Sequence, residues 1–507
     1  MKYTVLDYLE KTAEIYPDKV AFADVNDSIT WKSLVDESKS LSGAIAKYFP
    51  KGTAVPVMCE KSVVTVKLFF AALYAGCFYS FFDFSFPDER LNLMIKTLET
   101  PFILTDKKRE KKVQNLCAQP LFIEDLLVEN ICYNEKRRNN IIDVEPVYAN
   151  FTSGSTGVPK AVVVSHRSVI DFISCFTEIF EITSDDRIAN QAPFDFDVSV
   201  KDIFSAVFTG ASVYLIPKMY FSFPVKLLDF LCENQITTLI WAVSALCIIS
   251  TLNGFSYKIP TSIKKIMFSG EVMPIKQLKI WKKYIPDAKY VNLFGPTEIT
   301  CNCSYFIIPD EIPDDYDIPI GKPFPNERIL LIDENENLIA ENDTESKGEI
   351  CVSGTCVSLG YINNSKTNEV FIQNPLNKKY FERIYKTGDL GRYGKDGNLY
   401  YLGRKDNQIK HMGHRIELSE IEKGIEKICT ISRACCIFFE NKITAFYTGS
   451  QTEKKEIVSQ LKSILPAYMI PTDFLFITEF PVTKNGKILR NLQKNMERLF
   501  IFLILRY

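Results

Sequence analysis

The spacing at which apolar residues recur changes repeatedly along the chain, and each type of spacing predicts a helix or a strand. Residues 4–17 and 62–75 carry apolar side chains at helical spacing, and the second segment ends at Gly76, a residue typical of helix C-termini. Short apolar runs at 54–58 and 102–105 predict strands. Helices and strands that alternate in this way favour an α/β architecture with a parallel sheet.

The same alternation continues through the middle of the chain. Ser165 is placed to cap a helix that runs towards Phe180, and a helix at 227–234 precedes strands at 237–241 and 265–268. Ligands of open α/β sheets collect at the carboxyl ends of the strands. We therefore expect the functional loops to follow these strands.

Beyond the acidic, proline-rich segment 309–317, the pattern changes to short strands, which indicates a β-rich subdomain. These strands are predicted at 329–332, 349–352 and 399–402. The polar segment 403–408 marks a domain boundary, after which the chain resembles a small α+β unit. Its first helix is predicted to begin with a capping box, Ser419 to Glu422.

Composition and charge are those of an ordinary globular protein. The 507 residues predict about three domain-sized units, and the net charge of −2 gives no electrostatic footprint for nucleic acid or for an anionic membrane surface. The 14 cysteines are scattered and the 3 histidines complete no zinc motif, so we expect reduced thiols and a cytoplasmic protein. The N-terminus lacks the apolar core of a signal peptide, and the apolar run 499–505 is far shorter than the ~20 residues that span a bilayer.

Residues 151–160, Phe-Thr-Ser-Gly-Ser-Thr-Gly-Val-Pro-Lys, lie between two apolar runs that predict strands. Glycines let backbone N–H groups turn towards an anion, hydroxyl groups add donors, and Lys160 adds positive charge, so the loop indicates a phosphate site. A Walker A loop requires G-x-x-x-x-G-K-[ST] and opens a helix, and neither its spacing nor its setting fits. A flexible linker is the alternative, but linkers seldom join two apolar strands.

Five further motifs follow this loop. They are Phe196-Asp197-Val198-Ser199, Asn292-Leu293-Phe294-Gly295-Pro296-Thr297-Glu298, Tyr385-Lys386-Thr387-Gly388-Asp389-Leu390, Gly403-Arg404-Lys405-Asp406-Asn407-Gln408-Ile409-Lys410 and Asn485-Gly486-Lys487. In this order, the six motifs resemble those of the adenylate-forming enzymes, the ANL superfamily of AMP-binding enzymes. This family includes acyl-CoA synthetases, nonribosomal-peptide adenylation domains and relatives of firefly luciferase. The resemblance covers almost the whole chain, from Ile29 to Lys487.

The resemblance implies a fold as well as a chemistry. A large N-terminal core of parallel-rich α/β sheets with a small β-barrel-like subdomain would occupy residues 1–405. A small mobile α+β domain would follow at 406–498, with Asp406 as the hinge residue. The segment 499–507 is an apolar tail to which the resemblance assigns no role.

The resemblance also implies that ATP and Mg²⁺ are bound. The leaving β- and γ-phosphates would be held by the glycine-rich loop, through Thr152, Ser153, Gly154, Ser155, Thr156, Gly157 and Lys160. Thr297 would contact the α-phosphate, beside Asn292, Phe294 and Gly295. Glu298 would bind Mg²⁺, a hard cation that keeps waters and so needs few protein oxygens. The alternative for this motif is a plain turn that begins a helix.

Three more residues acquire roles from the resemblance. Asp389 would accept hydrogen bonds from both ribose hydroxyls, although aspartate is also common in Asx turns. Arg404 would assist near the ribose or the phosphate. Lys487 would be the catalytic lysine that bridges the substrate carboxylate and the α-phosphate; a lone lysine at such a position is otherwise usually solvated.

Asp197 distinguishes between substrate classes. It resembles the aspartate with which amino-acid-activating members hold the substrate's α-ammonium group; the alternative is a cap for the helix that follows. The implied reaction converts an amino acid and ATP to aminoacyl-AMP and pyrophosphate. The aminoacyl group then passes to the phosphopantetheine thiol of a carrier protein, which we expect to be a separate chain because no carrier segment follows Lys487.

Length and the absence of fused modules resemble stand-alone D-alanine–carrier-protein ligases, but two positions depart from them. Ser269 stands where those ligases usually have cysteine, and Lys201 occupies a position that lines the pocket. A buried Lys201 would favour an acidic or polar substrate side chain, whereas a lysine that reaches solvent would not. Val198 is also predicted to bind the substrate. The remaining predicted pocket walls, each of which could instead belong to the core, are Met267, Leu293, Cys301 and Trp241.

Two alternatives stay open at this point. An acyl- or aryl-CoA ligase of the same fold would consume CoA and tolerate the loss of Asp197. A degenerate ATP-binding scaffold is disfavoured, because five charged motif residues are retained together, namely Lys160, Glu298, Asp389, Arg404 and Lys487.

Overall fold

The computed structural model describes residues 3–128, 131–154, 157–363 and 367–480, and the chain divides into two compact units. The first unit comprises Met1–Phe84, Leu91–Thr152 and Pro159–Asp406. The second comprises Ser85–Arg90, Ser153–Val158 and Asn407–Tyr507. The main division falls after Asp406, one residue beyond the predicted boundary, and the tail 499–507 lies outside the described residues.

Helices form where apolar residues recur at helical spacing. Within the described residues they are α1 (Val5–Ile15), α2 (Trp31–Tyr48), α3 (Val63–Tyr74), α4 (Asp88–Leu98), α5 (Glu110–Val113), α6 (Ile123–Leu126), α7 (Glu135–Asn139), α8 (His166–Ile179), α9 (Val198–Thr209), α10 (Pro224–Glu233), α11 (Val243–Thr251), α12 (Ile275–Tyr284), α13 (Leu418–Glu426) and α14 (Lys454–Leu461). Ser165 caps α8 as predicted, because its side chain accepts from the N–H of Ser168 at 3.2 Å. None of these helices has the length and apolarity to cross a bilayer.

The largest sheet is parallel at its centre. Its strands, numbered along the chain, are β1 (Val20–Ala23), β2 (Ser28–Thr30), β9 (Arg187–Asn190), β10 (Ser212–Leu215), β11 (Thr238–Ala242), β12 (Lys265–Ser269), β13 (Lys289–Phe294), β14 (Ser304–Ile307) and β15 (Lys322–Pro323). The spatial order is β15-β14-β13-β12-β11-β9-β10-β1-β2. The pairs from β13 to β1 are parallel, and the strands beyond them at both edges pair antiparallel.

A second parallel-rich sheet packs in the same unit. Its strands are β3 (Ala54–Met58), β4 (Phe78–Phe81), β5 (Phe102–Thr105), β6 (Gln119–Phe122), β7 (Pro146–Thr152), β8 (Lys160–Ser165) and β18 (Gly360–Tyr361), in the order β18-β8-β7-β4-β3-β5-β6. One continuous apolar core joins this sheet to one face of the largest sheet and to α1, α2, α3, α8 and α9. A separate core covers the other face of the largest sheet.

The β-rich subdomain is an antiparallel sheet with its own small core. Its strands are β16 (Glu327–Ile332), β17 (Gly348–Gly354), β19 (Phe371–Gln373), β20 (Arg383–Tyr393) and β21 (Leu399–Arg404). They lie in the order β16-β17-β20-β19, and β21 also pairs with β20. Two parallel-rich sheets and an antiparallel sheet confirm the predicted fold class.

The second unit combines short strands with α13 and α14. Its strands are β22 (Gln408–His411), β23 (His414–Glu417), β24 (Ile431–Phe439), β25 (Lys442–Gly449) and β26 (Asp473–Phe476). The predicted capping box is wrong, because α13 already begins at Leu418 with Glu417 at the N-cap. The Glu422 carboxylate instead accepts from the N–H of Cys436 in β24, at 2.8 Å. All fourteen cysteines of the chain are described as free thiols.

Candidate active site

Two paired strands frame the glycine-rich loop. Thr152 ends β7 and Lys160 begins β8, and the two residues face each other across the antiparallel pair. The loop therefore joins strand to strand, as predicted. Lys160 Nζ lies 5.6 Å from the centre of the Tyr361 ring, within the range of a cation–π contact. Ser155 and Thr156 lie outside the described residues.

The loop residues that belong to the second unit use their donors on protein oxygens. Ser153 Oγ donates to the carbonyl of Arg415 at 3.0 Å. The N–H of Gly154 donates to a carboxylate oxygen of Glu420 at 3.3 Å. Gly157 has a φ of +83° and its N–H donates to the Gly154 carbonyl, which closes a turn. A glycine N–H that binds a carboxylate oxygen has the chemistry to bind a phosphate oxygen.

The second predicted phosphate-binding motif begins in β13. Asn292 donates to the carbonyl of Pro319 at 2.8 Å, and Phe294 ends the strand with a buried ring. A Cβ atom on Gly295 would lie only 2.5 Å from the Cα of Asn302, so this position requires glycine. The end of β13 is thus held closely against the segment that carries Asn302.

Thr297 and Glu298 share one 3₁₀ turn after this strand. Glu298 is buried, and its Oε1 accepts a hydrogen bond from the hydroxyl of Tyr361 at 2.6 Å. Because the ring of Tyr361 also contacts Lys160, one tyrosine connects two of the predicted nucleotide-binding residues. Sequence reasoning missed Tyr361, which lies 63 residues from Glu298 and outside all six motifs.

The chain is strained immediately after this turn. Thr300 and Cys301 both have positive φ, +57° and +74°, although neither is glycine. Such residues cost on the order of 1–3 kcal/mol each and persist where the surroundings hold them. Thr300 Oγ1 donates to the carbonyl of Cys356 at 2.7 Å, and Cys301 Sγ donates to the carbonyl of Asp197 at 3.2 Å. These bonds fix the segment beside the predicted substrate carboxylate.

Asp197 occupies the N-cap position of α9, but its side chain makes no capping hydrogen bond. The alternative of a capping side chain is therefore wrong. Burial raises the pKa of Asp197, while the charge of Lys201 and a hydrogen bond from Thr297 oppose that rise. Asp197 thus lies within one hydrogen bond of the predicted phosphate-binding motif.

Lys201 lies one helical turn after Asp197 and is 0% exposed. It does not reach solvent, so the predicted alternative of a solvated lysine is wrong. Its Nζ donates to Oδ1 of Asn302 at 2.6 Å. Burial lowers the pKa of Lys201, and the nearby acidic groups of Cys301, Asp197 and Asp202 oppose that shift. Asn302 is a second site residue that the motifs did not indicate.

The predicted pocket walls come from alternate positions of adjacent strands. Met267 and Leu293 lie on the face of the largest sheet that packs with α9, as does the buried Cys301. Trp241 belongs to the core on the opposite face, where its Nε1 donates to the carbonyl of Ala189 at 2.8 Å. Its prediction as a pocket wall is therefore wrong. Ser269 is buried at the end of β12, and Val198 is half-buried at the start of α9.

The predicted ribose site contains a compact charged group. The Asp389 side chain is buried, and its Oδ1 accepts from Arg404 Nη1 at 2.9 Å. Arg404 also donates to both carboxylate oxygens of Asp406, each at 2.6 Å. A Cβ atom on Gly388 would lie 2.6 Å from Arg404 Nη2, so glycine leaves room for the guanidinium. The guanidinium thus holds two carboxylates from two different motifs.

A further buried network supports the segment that leads to Asp197. Lys61 Nζ donates to the carbonyls that end β9 and begin the following turn, those of Asn190, Gln191 and Ala192, at 3.0, 3.1 and 3.5 Å. Asn190 Nδ2 donates to Asp202 Oδ2 at 2.6 Å. Burial lowers the pKa of Lys61 to about 7 and raises the pKa of Asp202 to about 7. Sequence reasoning missed this network because Lys61 lies in no motif.

The predicted metal residue offers an oxygen ligand from a buried position. No group of three or more His, Cys, Asp or Glu side chains among the described residues could hold a metal. Glu298 by itself fits Mg²⁺, because that ion usually takes one or two carboxylates and completes its shell with waters and phosphate oxygens. Lys487, the predicted catalytic lysine, lies outside the described residues.

Comparison with known proteins agrees with these features. A family model described as AMP-binding enzyme matches residues 9–362. Zwittermicin A synthase ZmaJ of Bacillus cereus is 31% identical over 490 residues, which cover 93% of this chain and 91% of the relative. Tyrocidine synthase 1 of Brevibacillus parabrevis is 30% identical over 490 residues, which cover 94% of this chain. Since the chain spans only 44% of that synthase, much of the relative's length has no counterpart here.

A solved structure shares the fold. It is that of an NRPS protein containing adenylation and PCP domains, with a TM-score of 0.84 and 23% identity, over 97% of this chain and 84% of that one. The family match extends from α1 to the residue after β18 and includes the glycine-rich loop, Asp197 and Glu298. The chain therefore belongs to the AMP-binding enzymes, the adenylate-forming family that includes nonribosomal peptide synthetase adenylation domains.

Proposed function

We propose that this protein activates an amino acid with ATP and then loads it onto a carrier protein. In the first step a carboxylate oxygen of the amino acid attacks the α-phosphorus of ATP. The bond between that phosphorus and the oxygen bridging to the β-phosphate breaks, which gives aminoacyl-AMP and pyrophosphate. In the second step a phosphopantetheine thiol loses its proton to solvent, and its sulfur attacks the aminoacyl carbonyl and displaces AMP.

One observation carries the proposal. Asp197 is a partly enclosed carboxylate that caps no helix and is joined by a hydrogen bond to Thr297, beside Glu298. A buried carboxylate is unfavourable without a partner, and the α-ammonium of an amino acid supplies one. The same interaction would hold the substrate carboxylate close to the residues proposed for the α-phosphate and Mg²⁺. Fatty and aryl acids carry no α-ammonium group and would not supply this partner.

The remaining roles follow the motifs. Lys160 and the glycine-rich loop would hold the leaving pyrophosphate, and Asp389 would bind the ribose. Mg²⁺, held by Glu298, would offset phosphate charge when bound. Lys487 would offset the negative charge of the two reacting anions. The attraction between two opposite unit charges ~4 Å apart is about 4 kcal/mol at an effective dielectric near 20. A carrier protein is proposed as the acceptor, because two fold neighbours combine adenylation and PCP domains, and we propose that this carrier is a separate chain.

Amino-acid-dependent exchange of labelled pyrophosphate into ATP tests the first step. We expect exchange with at least one member of a panel containing the proteinogenic amino acids and D-alanine. Asp197→Asn should lower kcat/KM for that amino acid at least thirtyfold, since removing one partner of a buried charge pair costs about 2–5 kcal/mol. The exposed Asp185, which precedes β9, provides the matched control: Asp185→Asn should retain full exchange.

The opposite outcome is equally specific. Absence of exchange with every amino acid, together with CoA-ester formation from a simple carboxylic acid, would establish an acyl- or aryl-CoA ligase instead. Transfer of the activated amino acid to free CoA rather than to a phosphopantetheinylated carrier protein would refute the second step alone.

A further inference from the structure

Lys201 is a buried cation that uses few of its hydrogen-bonding groups. An ammonium group has three donors, and within the described residues Lys201 makes one hydrogen bond, to Asn302 Oδ1 at 2.6 Å. The side chain is 0% exposed, so bulk water does not complete the set. A buried charged group without enough partners is costly unless a ligand supplies them.

Lys61 shows how the same protein satisfies a lysine that has a purely structural position. All three of its donors have acceptors, and all the acceptors are backbone carbonyls, at 3.0, 3.1 and 3.5 Å. Lys201 has no such set of carbonyls in the described part of the chain, although it lies in the same unit as Lys61. Two of its three donors therefore have no acceptor among the described residues.

The charges around Lys201 indicate what that ligand must carry. Asp197 and Asp202 are the carboxylates that act on Lys201. If Asp197 binds the substrate ammonium, as the proposed function requires, the negative charge of Asp197 is shared between that ammonium and Lys201. Asp197 then stabilises Lys201 less. Asp202 already accepts a hydrogen bond from Asn190 at 2.6 Å, and its pKa, raised to about 7, leaves it only partly ionised near neutral pH. An amino acid with an uncharged side chain would thus leave two cations, its α-ammonium group and Lys201, with too little negative charge nearby. A carboxylate on the side chain would supply the missing negative charge.

On the basis of the proposed function, we infer that the activated amino acid is acidic, and that its side-chain carboxylate binds Lys201 in the pocket between α9 and the Cys301–Asn302 segment. Asn302 orients the lysine amino group, and Asp197 receives the α-ammonium one helical turn earlier on the same helix. The substrate thereby presents opposite charges to Asp197 and Lys201. Lys201 acts as a specificity residue and takes no part in the bond changes.

The test compares isosteric substrates in the pyrophosphate exchange assay with the unaltered protein. Glutamate is compared with glutamine, and aspartate with asparagine, so that only the charge of the side chain changes. We expect one acid to give the highest kcat/KM of the panel, at least tenfold above its amide. A higher value for the amide, or for an aliphatic amino acid, would overturn the inference and leave the proposed function intact.

A variant provides the second arm. Lys201→Met keeps the length of an unbranched side chain and removes the charge, and it should lower kcat/KM for the acid at least a hundredfold while the amide loses tenfold or less. The exposed Lys226 of α10 is the matched control, because Lys226→Met should keep the wild-type ranking. Equal losses for acid and amide would also overturn the inference. Should Lys201→Met fail to fold, the isosteric comparison still decides, and exchange with no amino acid at all would refute the proposed function itself.

Discussion

His166 makes the stability of the first unit depend on pH in a way that can be calculated. The imidazole begins α8 and is 1% exposed, and its Nδ1 accepts a hydrogen bond from the N–H of Val5 at 3.2 Å. A nitrogen that accepts must be unprotonated, so the folded protein holds the neutral ring. Burial, and after it the charge of Arg138, lower the pKa of His166 to about 3, although the carboxylates of Asp7 and Asp143 oppose the shift.

The sign follows from the two pKa values. An unfolded chain protonates this histidine near pH 6.5, whereas the folded chain resists protonation down to about pH 3. The stabilisation is therefore complete above pH 6.5 and is lost progressively as the pH falls towards 3. Each pH unit in this interval costs about 1.4 kcal/mol, so a change from pH 7.5 to pH 5 costs about 2 kcal/mol from this residue alone.

Urea unfolding followed by tryptophan fluorescence measures this effect. The three tryptophans of the chain, Trp31, Trp241 and Trp281, all lie in the unit that contains His166. His166→Asn keeps an acceptor oxygen near the Val5 N–H but cannot titrate. We expect the wild type to lose about 2 kcal/mol more than this variant between pH 7.5 and pH 5.

The second unit supplies the control for this experiment. His411 is half-buried in β22, and His411→Asn should leave the pH dependence of the tryptophan signal unchanged. An identical pH dependence in the wild type and in His166→Asn would refute the assignment of a neutral, proton-resistant ring.

Two further predictions concern residues that the motifs did not indicate. Tyr361→Phe removes the hydroxyl that donates to Glu298 at 2.6 Å but keeps the ring. Since partners of metal ligands typically affect metal affinity by about 10- to 100-fold, the Mg²⁺ concentration at half-maximal exchange should rise about tenfold, and an unchanged Mg²⁺ dependence would contradict this role. Lys61→Met removes the donor to three carbonyls of the segment that leads to Asp197. The KM for the amino acid should rise at least about tenfold while the KM for ATP changes little, because the segment is part of the substrate site only; equal changes in both would indicate a general loss of structure.

Most helices and strands follow from local patterns, because the burial of one face imposes a period on the sequence. The strands around the glycine-rich loop and the helix capped by Ser165 are examples. The position of α13 was less predictable: Ser419 and Glu422 have the spacing of a capping box, but Glu422 binds a backbone N–H from β24 instead. The partner of Glu422 thus lies outside the local sequence, where a capping-box pattern cannot indicate it.

The candidate site was predictable only as far as its residues belong to motifs. Trp241 could not be assigned to a face because helices cover both sides of a parallel strand, so the apolar pattern of β11 carries no alternation. The hydrogen-bond partner of the buried Lys201 is Asn302, which lies 101 residues later. Tyr361 acts on Glu298 from the edge of a different sheet. Contacts of this length leave no local signal.

The bonds of Lys61 set a limit on how the substrate segment can be exchanged between related enzymes. Lys61 follows β3 in one sheet, while the carbonyls that it binds follow β9 in the other sheet, about 130 residues later. A graft of residues 190–201 into a relative would transfer Asp197 and Lys201 but not Lys61. In a relative that has no lysine at the corresponding position, three carbonyl oxygens would lose their donor, and the grafted segment would have to adopt a new conformation. A chimaera that is meant to transfer substrate choice must therefore include position 61, although it lies far from the pocket in sequence.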